Sequence, residues 1–294
     1  MNIEKWIKNN CTSLKNKTIA ITGASGDLGK ETCMILATLE ANIIFLNRNE
    51  EKSQKLKDEI IKINDKCSID FIKADFSLFE SVKKACKELE KYNIDVLILN
   101  AAVYKIKREM SDIGFDNVFQ TNFVSPYYLV KEVLKTMKKK KSGRIVCVSS
   151  IAHNYSKIDE NDIDFKKVKK QSKVYGNSKR FLMFSLYELF KNEKDVGLSI
   201  VHPGITFTNM TSHFPKFIYY IIKYPMRFIF ISNKKASLNI VAGVFKRCEY
   251  KYWIGPKYFN IWGYPQYKKV STCKEEESKV IYRISEEIYT DIKN

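Results

Sequence analysis

From Lys17 onward the chain alternates between two periodicities: a short, apolar, β-branched run, then a longer charged segment with helical spacing. Apolar runs separated by helix-length stretches are what βαβ units and a parallel sheet covered on both faces require. The strand candidates are TIAIT (18–22), NIIFLN (42–47), SIDFIKA (68–74), DVLILN (95–100), RIVCVSS (144–150) and LSIVHP (198–203). NEEKSQKLKDEIIKIN and SLFESVKKACKELEKY lie between them as helices. YKYWIG (250–255), after a helix beginning near Asn233, is the candidate last strand. The expected class is α/β: a doubly wound, mostly parallel sheet with helices on both faces, in a single domain. Of 294 residues 45% are hydrophobic, enough for a full core, and neither an internal repeat nor a Gly/Ser/Pro-rich linker marks a boundary. Residues 1–16 read as an N-terminal extension, 17–270 as the domain and 271–294 as a helical tail, the two ends being least tied to the core.

TIAIT-GASGDLG-KETCMILATLE reads as strand, glycine-rich turn, helix, the context of a dinucleotide-binding, Rossmann-type turn. Gly23, Gly26 and Gly29 allow a tight turn and close backbone approach to a pyrophosphate at the helix N-terminus, with Ser25 and Leu28 in the same turn. The second strand ends in Asn47-Arg48, where an NAD site usually offers an acidic side chain to the ribose. Arg48 suits a 2′-phosphate, which favours NADP(H) over NAD(H); the alternative is an ordinary surface arginine. Asp75, after the third strand, either accepts from the adenine amino group or caps a helix beginning near Ser77.

Tyr175-Gly-Asn-Ser-Lys179 heads the apolar-rich segment RFLMFSLYELF, and a spacing of four puts the phenol and the ammonium on one helix face. A Tyr hydroxyl is a poor general base at neutral pH, and an adjacent cation is expected to favour the phenolate. Together with TGASGDLG (22–29), NAA (100–102), Asn122 within FQTNFVSPYY, VSS (148–150) and HPGITFT (202–208), this segment resembles the short-chain dehydrogenase/reductase family, whose motifs appear here in the family's order. VSSIAH, LNAAV and the Asn-Arg-Asn after the second strand look most like its retinol dehydrogenase and WW-domain oxidoreductase branch. The resemblance implies that Tyr175 gives or takes the substrate proton, Lys179 lowers its pKa and holds the nicotinamide ribose, and Ser150 hydrogen-bonds the carbonyl oxygen. It implies that Asn122 steadies a proton-relay water, and that Asn100, Ala101, Pro203, Gly204, Ile205 and Thr208 line the cofactor site. Read from the residues alone, Ser150 is a turn serine and Asn122 a helix-bend residue satisfying backbone groups. The sequence departs from the family at Asp27, which stands where a glycine is usual in the turn, and at Ala102.

The 51 Lys and Arg against 33 Asp and Glu give a net charge of +18, but the lysines are scattered and no basic stripe interleaved with stacking aromatics marks a nucleic-acid reader. Seven dispersed cysteines without a CxxC read as reduced thiols, and no metal site is expected. His153 and His213 lack a partner at ligand spacing, and His202 belongs to the turn before Pro203. MNIEKWIKNN lacks a secretory apolar stretch, and the most apolar run, Phe217 to Ser232, is interrupted by Lys223, Pro225 and Arg227, so a cytoplasmic protein is expected. Residues 209–235, rich in aromatics, fit a lid over a bulky apolar carbonyl or alcohol; contact with a membrane surface or an oligomer partner is the other reading. The functional expectation is hydride transfer between NADP(H) and such a small molecule, in a homo-oligomer by family resemblance. A catalytically silent nucleotide-binding scaffold and a charge-driven peripheral membrane binder are the alternatives.

Overall fold

Valine, isoleucine and leucine fill the centre of each strand candidate, and the strands accordingly lie side by side with their middles out of water. The computed structural model describes residues 2–206 and 231–293. Strands β1 (Thr18–Thr22), β2 (Asn42–Asn47), β3 (Ile69–Lys73), β4 (Val96–Leu99), β5 (Arg144–Val148), β6 (Gly197–Val201), β7 (Tyr252–Tyr258) and β8 (Trp262–Lys269) form one sheet in the order β3-β2-β1-β4-β5-β6-β7-β8. Every neighbouring pair is parallel except β7 and β8.

The helices alternate with the strands: α1 (Ile3–Asn10), α2 (Asp27–Thr38), α3 (Glu50–Ile61), α4 (Phe79–Leu89), α5 (Asn117–Phe119), α6 (Ser125–Lys139), α7 (Gln171–Leu189), α8 (Asn233–Phe245) and α9 (Glu275–Lys293). Two apolar layers result. One is built from α4, α6, α7 and α9 on one sheet face, the other from α2, α3 and α8 on the opposite face. Chain order reverses between β1 and β4, and at such a switch point the loops leaving the strand ends diverge and open a crevice.

Two expectations need correction. β8 was not foreseen: Gly263 and Pro265 weaken its strand signal, and it survives as the edge strand of a hairpin, where a missing N–H is tolerated. Nor are the chain ends loosely attached. Trp6 of α1 packs with Ile35, Leu238 and Val241, while Ser278, Ile281 and Ser285 of α9 are fully buried against α7 and its neighbours. Ser185 and Ser285 share a hydrogen bond of 2.6 Å across that interface. All seven cysteines are free thiols. Among the described residues no helix is long and apolar enough to cross a membrane, and no cluster of His, Cys, Asp and Glu could hold a metal ion.

Candidate active site

The crevice at the switch point is a cleft of about 1090 Å³ running from Arg48, Asn49 and Lys52 to Tyr175, Lys179 and the loop His202–Thr206. Its floor is the turn after β1. Gly23 has φ +65°, and a Cβ there would lie 3.0 Å from Ala101 Cα. A Cβ on Gly29 would fall 2.2 Å from Gly23 O, so α2 rests directly on the turn. Gly26 is exposed and precedes the first residue of α2. The end of β4 is stitched to this turn: Thr22 Oγ1 accepts from Asn100 N and Ala101 N (both 2.9 Å), and Asn100 Nδ2 donates to Thr22 O (3.1 Å) and Gly23 O (3.0 Å). Asn100 thus holds the turn in shape. Ser25, Leu28 and Asp27 line the same wall; Asp27 is the first helical residue, a position where a carboxylate favours the helix by about 0.3–1 kcal/mol.

At the far end Arg48 is exposed and faces the cleft, and Asn49 caps α3 by accepting from Lys52 N at 2.8 Å. Lys52 lines the same end and was not anticipated; its spacing from Arg48, one helical turn, was the available signal. Asp75 also lines the cleft but is not the helix cap: its Oδ1 accepts from Ser77 N (3.0 Å) and Ser77 Oγ (2.6 Å). α4 starts two residues later than expected, its Phe79 N–H donating to Asp112 Oδ2 (2.7 Å), a residue brought in from a distant loop.

Tyr175, Lys179 and Ser150 meet at the other end. Lys179 is buried, donates to Val148 O at 3.0 Å, and sits 5.9 Å from the centroid of the Tyr175 ring. Ser150 ends the segment after β5, its Oγ accepting from Ala152 N (3.2 Å) to start a 3₁₀ turn at Ile151–Tyr155. A Cβ on Gly176 would lie 2.3 Å from Ala152 O, so the Tyr175 helix is seated on the Ser150 turn with no room for a side chain. Burial raises the Tyr175 phenol above its ordinary value, and the hydrogen bond from the Ser150 hydroxyl only partly opposes it. Burial likewise lowers the Lys179 ammonium. The expectation that Lys179 draws Tyr175 down concerns the charge alone; the largest influence on the phenol in this cavity is burial, which acts upward.

Asn122 stands one layer back, within a π-helical turn (Gln120–Val124), the kind of helix irregularity that recurs at functional sites. Its Oδ1 accepts from Val103 N (2.8 Å), and its Nδ2 donates to Val103 O (2.9 Å) and Ser178 Oγ (3.2 Å), which fastens the loop after β4 to α7. Pro203, Gly204 and Ile205 line the cleft beside Tyr175, with Gly204 at φ +91°. Thr208, His213 and most of the expected lid over 209–235 lie outside the described residues.

Residues 17–217 match the family model described as short chain dehydrogenase. The chain belongs to the short-chain dehydrogenases. It is therefore an NAD(P)-dependent oxidoreductase, as its family relatives are. This short-chain dehydrogenase is 30% identical over 231 residues to an uncharacterized oxidoreductase of Schizosaccharomyces pombe, covering 74% of this chain and 68% of that one. It is 26% identical over 206 residues to retinol dehydrogenase 13 of Mus musculus, covering 68% of this chain and 62% of the relative. Among solved structures, an uncharacterized protein from Mycobacterium paratuberculosis superposes with a TM-score of 0.74 at 20% identity over 95% of both chains. A metagenomic short-chain oxidoreductase in complex with NADP gives 0.59 at 21% identity, over 80% of this chain and 93% of that one.

Beyond the motifs, this short-chain dehydrogenase braces its site from the C-terminus. Arg180, next to Lys179, forms a bidentate pair with Glu277 of α9 (Nε to Oε1 2.6 Å) and donates from Nη1 to His153 O (2.9 Å). His153 Nδ1–H donates to Ser150 O (2.7 Å), and its Nε2 accepts from Thr272 Oγ1 (2.8 Å). Since a carbonyl can only accept, the ring is the neutral Nδ1–H tautomer, in keeping with a pKa that burial lowers to about 4. Segment 272–277 thereby fixes both the Ser150 turn and the Tyr175 helix. Breaking the buried Arg180–Glu277 pair would strand a charge, at about 3–5 kcal/mol.

Proposed function

We propose that this dehydrogenase interconverts a carbonyl and an alcohol on an apolar small molecule, with NADP(H) as the preferred cofactor. The observation that carries this reading is the continuity of one cleft, with Arg48 and Lys52 at one end and Ser150, Tyr175 and Lys179 at the other. The residues present fit a dinucleotide: Gly23 and Gly29 let α2 rest directly on the turn, and Gly26 faces the cleft where a pyrophosphate would approach the first turn of α2. Bound there, the nicotinamide supplies or accepts the hydride. Tyr175 gives its proton to the carbonyl oxygen as that oxygen gains charge, and Ser150 aims a second hydroxyl at the same atom. Lys179, pinned by Val148 O, sits beside the phenol and is placed to bind the ribose. Asn122 acts as a positioning residue through Val103 and Ser178. Val103, Tyr104, Ile151, Tyr155 and Ile205 surround the reacting end, and an apolar substrate suits such walls.

Arg48→Ala tests the cofactor half of this reading. NADPH affinity is expected to fall at least about tenfold, the loss of a charge-assisted contact to phosphate, while NADH affinity changes less than about twofold. Equal losses for the two cofactors, measured by nicotinamide fluorescence titration, would place the 2′-phosphate elsewhere.

A further inference from the structure

The β7–β8 hairpin ends in a turn that disregards ordinary turn chemistry. Ile261 N donates to Tyr258 O (2.9 Å), and both central residues, Phe259 and Asn260, have positive φ (52° and 59°), as in a type I′ turn. Such turns favour Asn and Gly, because a bulky side chain in this region is strained. Phe259 nevertheless occupies the first central position, and its side chain gains little from the fold: the residue is 80% exposed. Tyr258 (48%) and Trp262 (38%) are exposed beside it, and Phe259 and Trp262 meet edge to face with ring centroids 6.0 Å apart. The turn is held firmly beneath these rings: Lys268 Nζ donates to Pro256 O (2.7 Å), Lys257 O (2.9 Å) and Asn260 Oδ1 (3.1 Å).

Along the hairpin the charge has one sign. From Tyr250 to Val270 the sequence carries Lys251, Lys257, Lys268 and Lys269 and no carboxylate. Lys257 and Lys269 are exposed, and Lys257 Nζ lies 5.2 Å from the Tyr258 ring centroid. Exposed Trp, Tyr and Phe beside lysines match a lipid headgroup boundary, where rings enter the apolar edge and ammonium groups meet phosphate. The tip also adjoins the reacting end of the cleft: His202 Nε2 donates to Asn260 O (2.9 Å), and Ile205 N to Ile261 O (3.4 Å).

We propose that Tyr258, Phe259 and Trp262, with Lys257, form a docking tip for an anionic lipid surface, which sets the substrate end of the cleft against the membrane. The proposal is independent of which substrate the cleft takes.

The test is co-sedimentation of the full chain with vesicles of phosphatidylcholine alone or mixed with phosphatidylserine, at low and high salt, for wild type, Phe259→Asn and Trp262→Ser. Wild type is expected to pellet with the phosphatidylserine vesicles and to be released by salt. Both variants are expected to lose at least about tenfold in partition. Phe259→Asn relieves the turn, so its melting midpoint should rise by roughly 2 °C, which separates lost docking from lost folding. The proposal is overturned if wild type stays in the supernatant, pellets equally with phosphatidylcholine alone, or binds duplex DNA through the same residues instead. Undiminished vesicle binding by both variants overturns it as well, since another part of the chain would then carry the contact.

Discussion

Replacing Tyr175 with Phe is expected to lower turnover by about 10³-fold while NADPH binds as before, because only the proton donor is removed. The ring itself stays packed, 5.1 Å from that of Tyr104. The pH dependence follows from the direction of the phenol's shift. Burial raises its pKa, so Tyr175 holds its proton through neutral pH. Carbonyl reduction consumes that proton and should be flat there. Alcohol oxidation needs the phenolate, whose fraction, and with it the rate, should climb about tenfold per pH unit below the raised pKa. Steady-state rates in both directions between about pH 6 and 9, for wild type and variant, check both statements. A variant that keeps wild-type turnover means that another group moves the proton.

Gly29→Ala should be the most damaging small change in the cofactor half of the site. In an open helix the substitution would gain about 1 kcal/mol of propensity. Here the new methyl would fall 2.2 Å from Gly23 O, 2.8 Å from Ala24 O and 2.9 Å from Ala24 Cα, all of them backbone. Either α2 lifts or the turn shifts. We expect a net loss of about 1–3 kcal/mol and a drop in NADPH affinity of at least about tenfold. Gly26→Ala is the control for packing alone: its Cβ meets only Gly23 O at 3.3 Å, and the residue is exposed. Thermal melts of the two variants should differ clearly; equal effects would show that the turn is not a close-packed cradle.

What could be read from the chain alone divides along the range of the forces involved. The parallel strands and the β1 turn were legible because apolar runs and glycine spacing are local, and so was the shared helix face of Tyr175 and Lys179. β8 was not, because Gly263 and Pro265 weaken a strand whose place depends on pairing with β7. The attachment of α9 rests on Arg180 and Glu277, 97 residues apart, and neither residue type signals its partner. The upward shift of Tyr175 is of the same kind. The spacing of Lys179 is visible in the sequence, but the burial that raises the phenol belongs to the folded cavity. Asp75 and Phe79 repeat the point, since the side chain that caps α4 is Asp112, from the loop after β4.

The most direct measurement is titration of the purified, folded chain with NADPH and with NADH, followed by nicotinamide emission. Saturable one-to-one binding with NADPH the tighter of the two is the predicted result, since the glycine turn and Arg48 then act as one site. Failure of the folded protein to bind either cofactor would contradict the account at its centre.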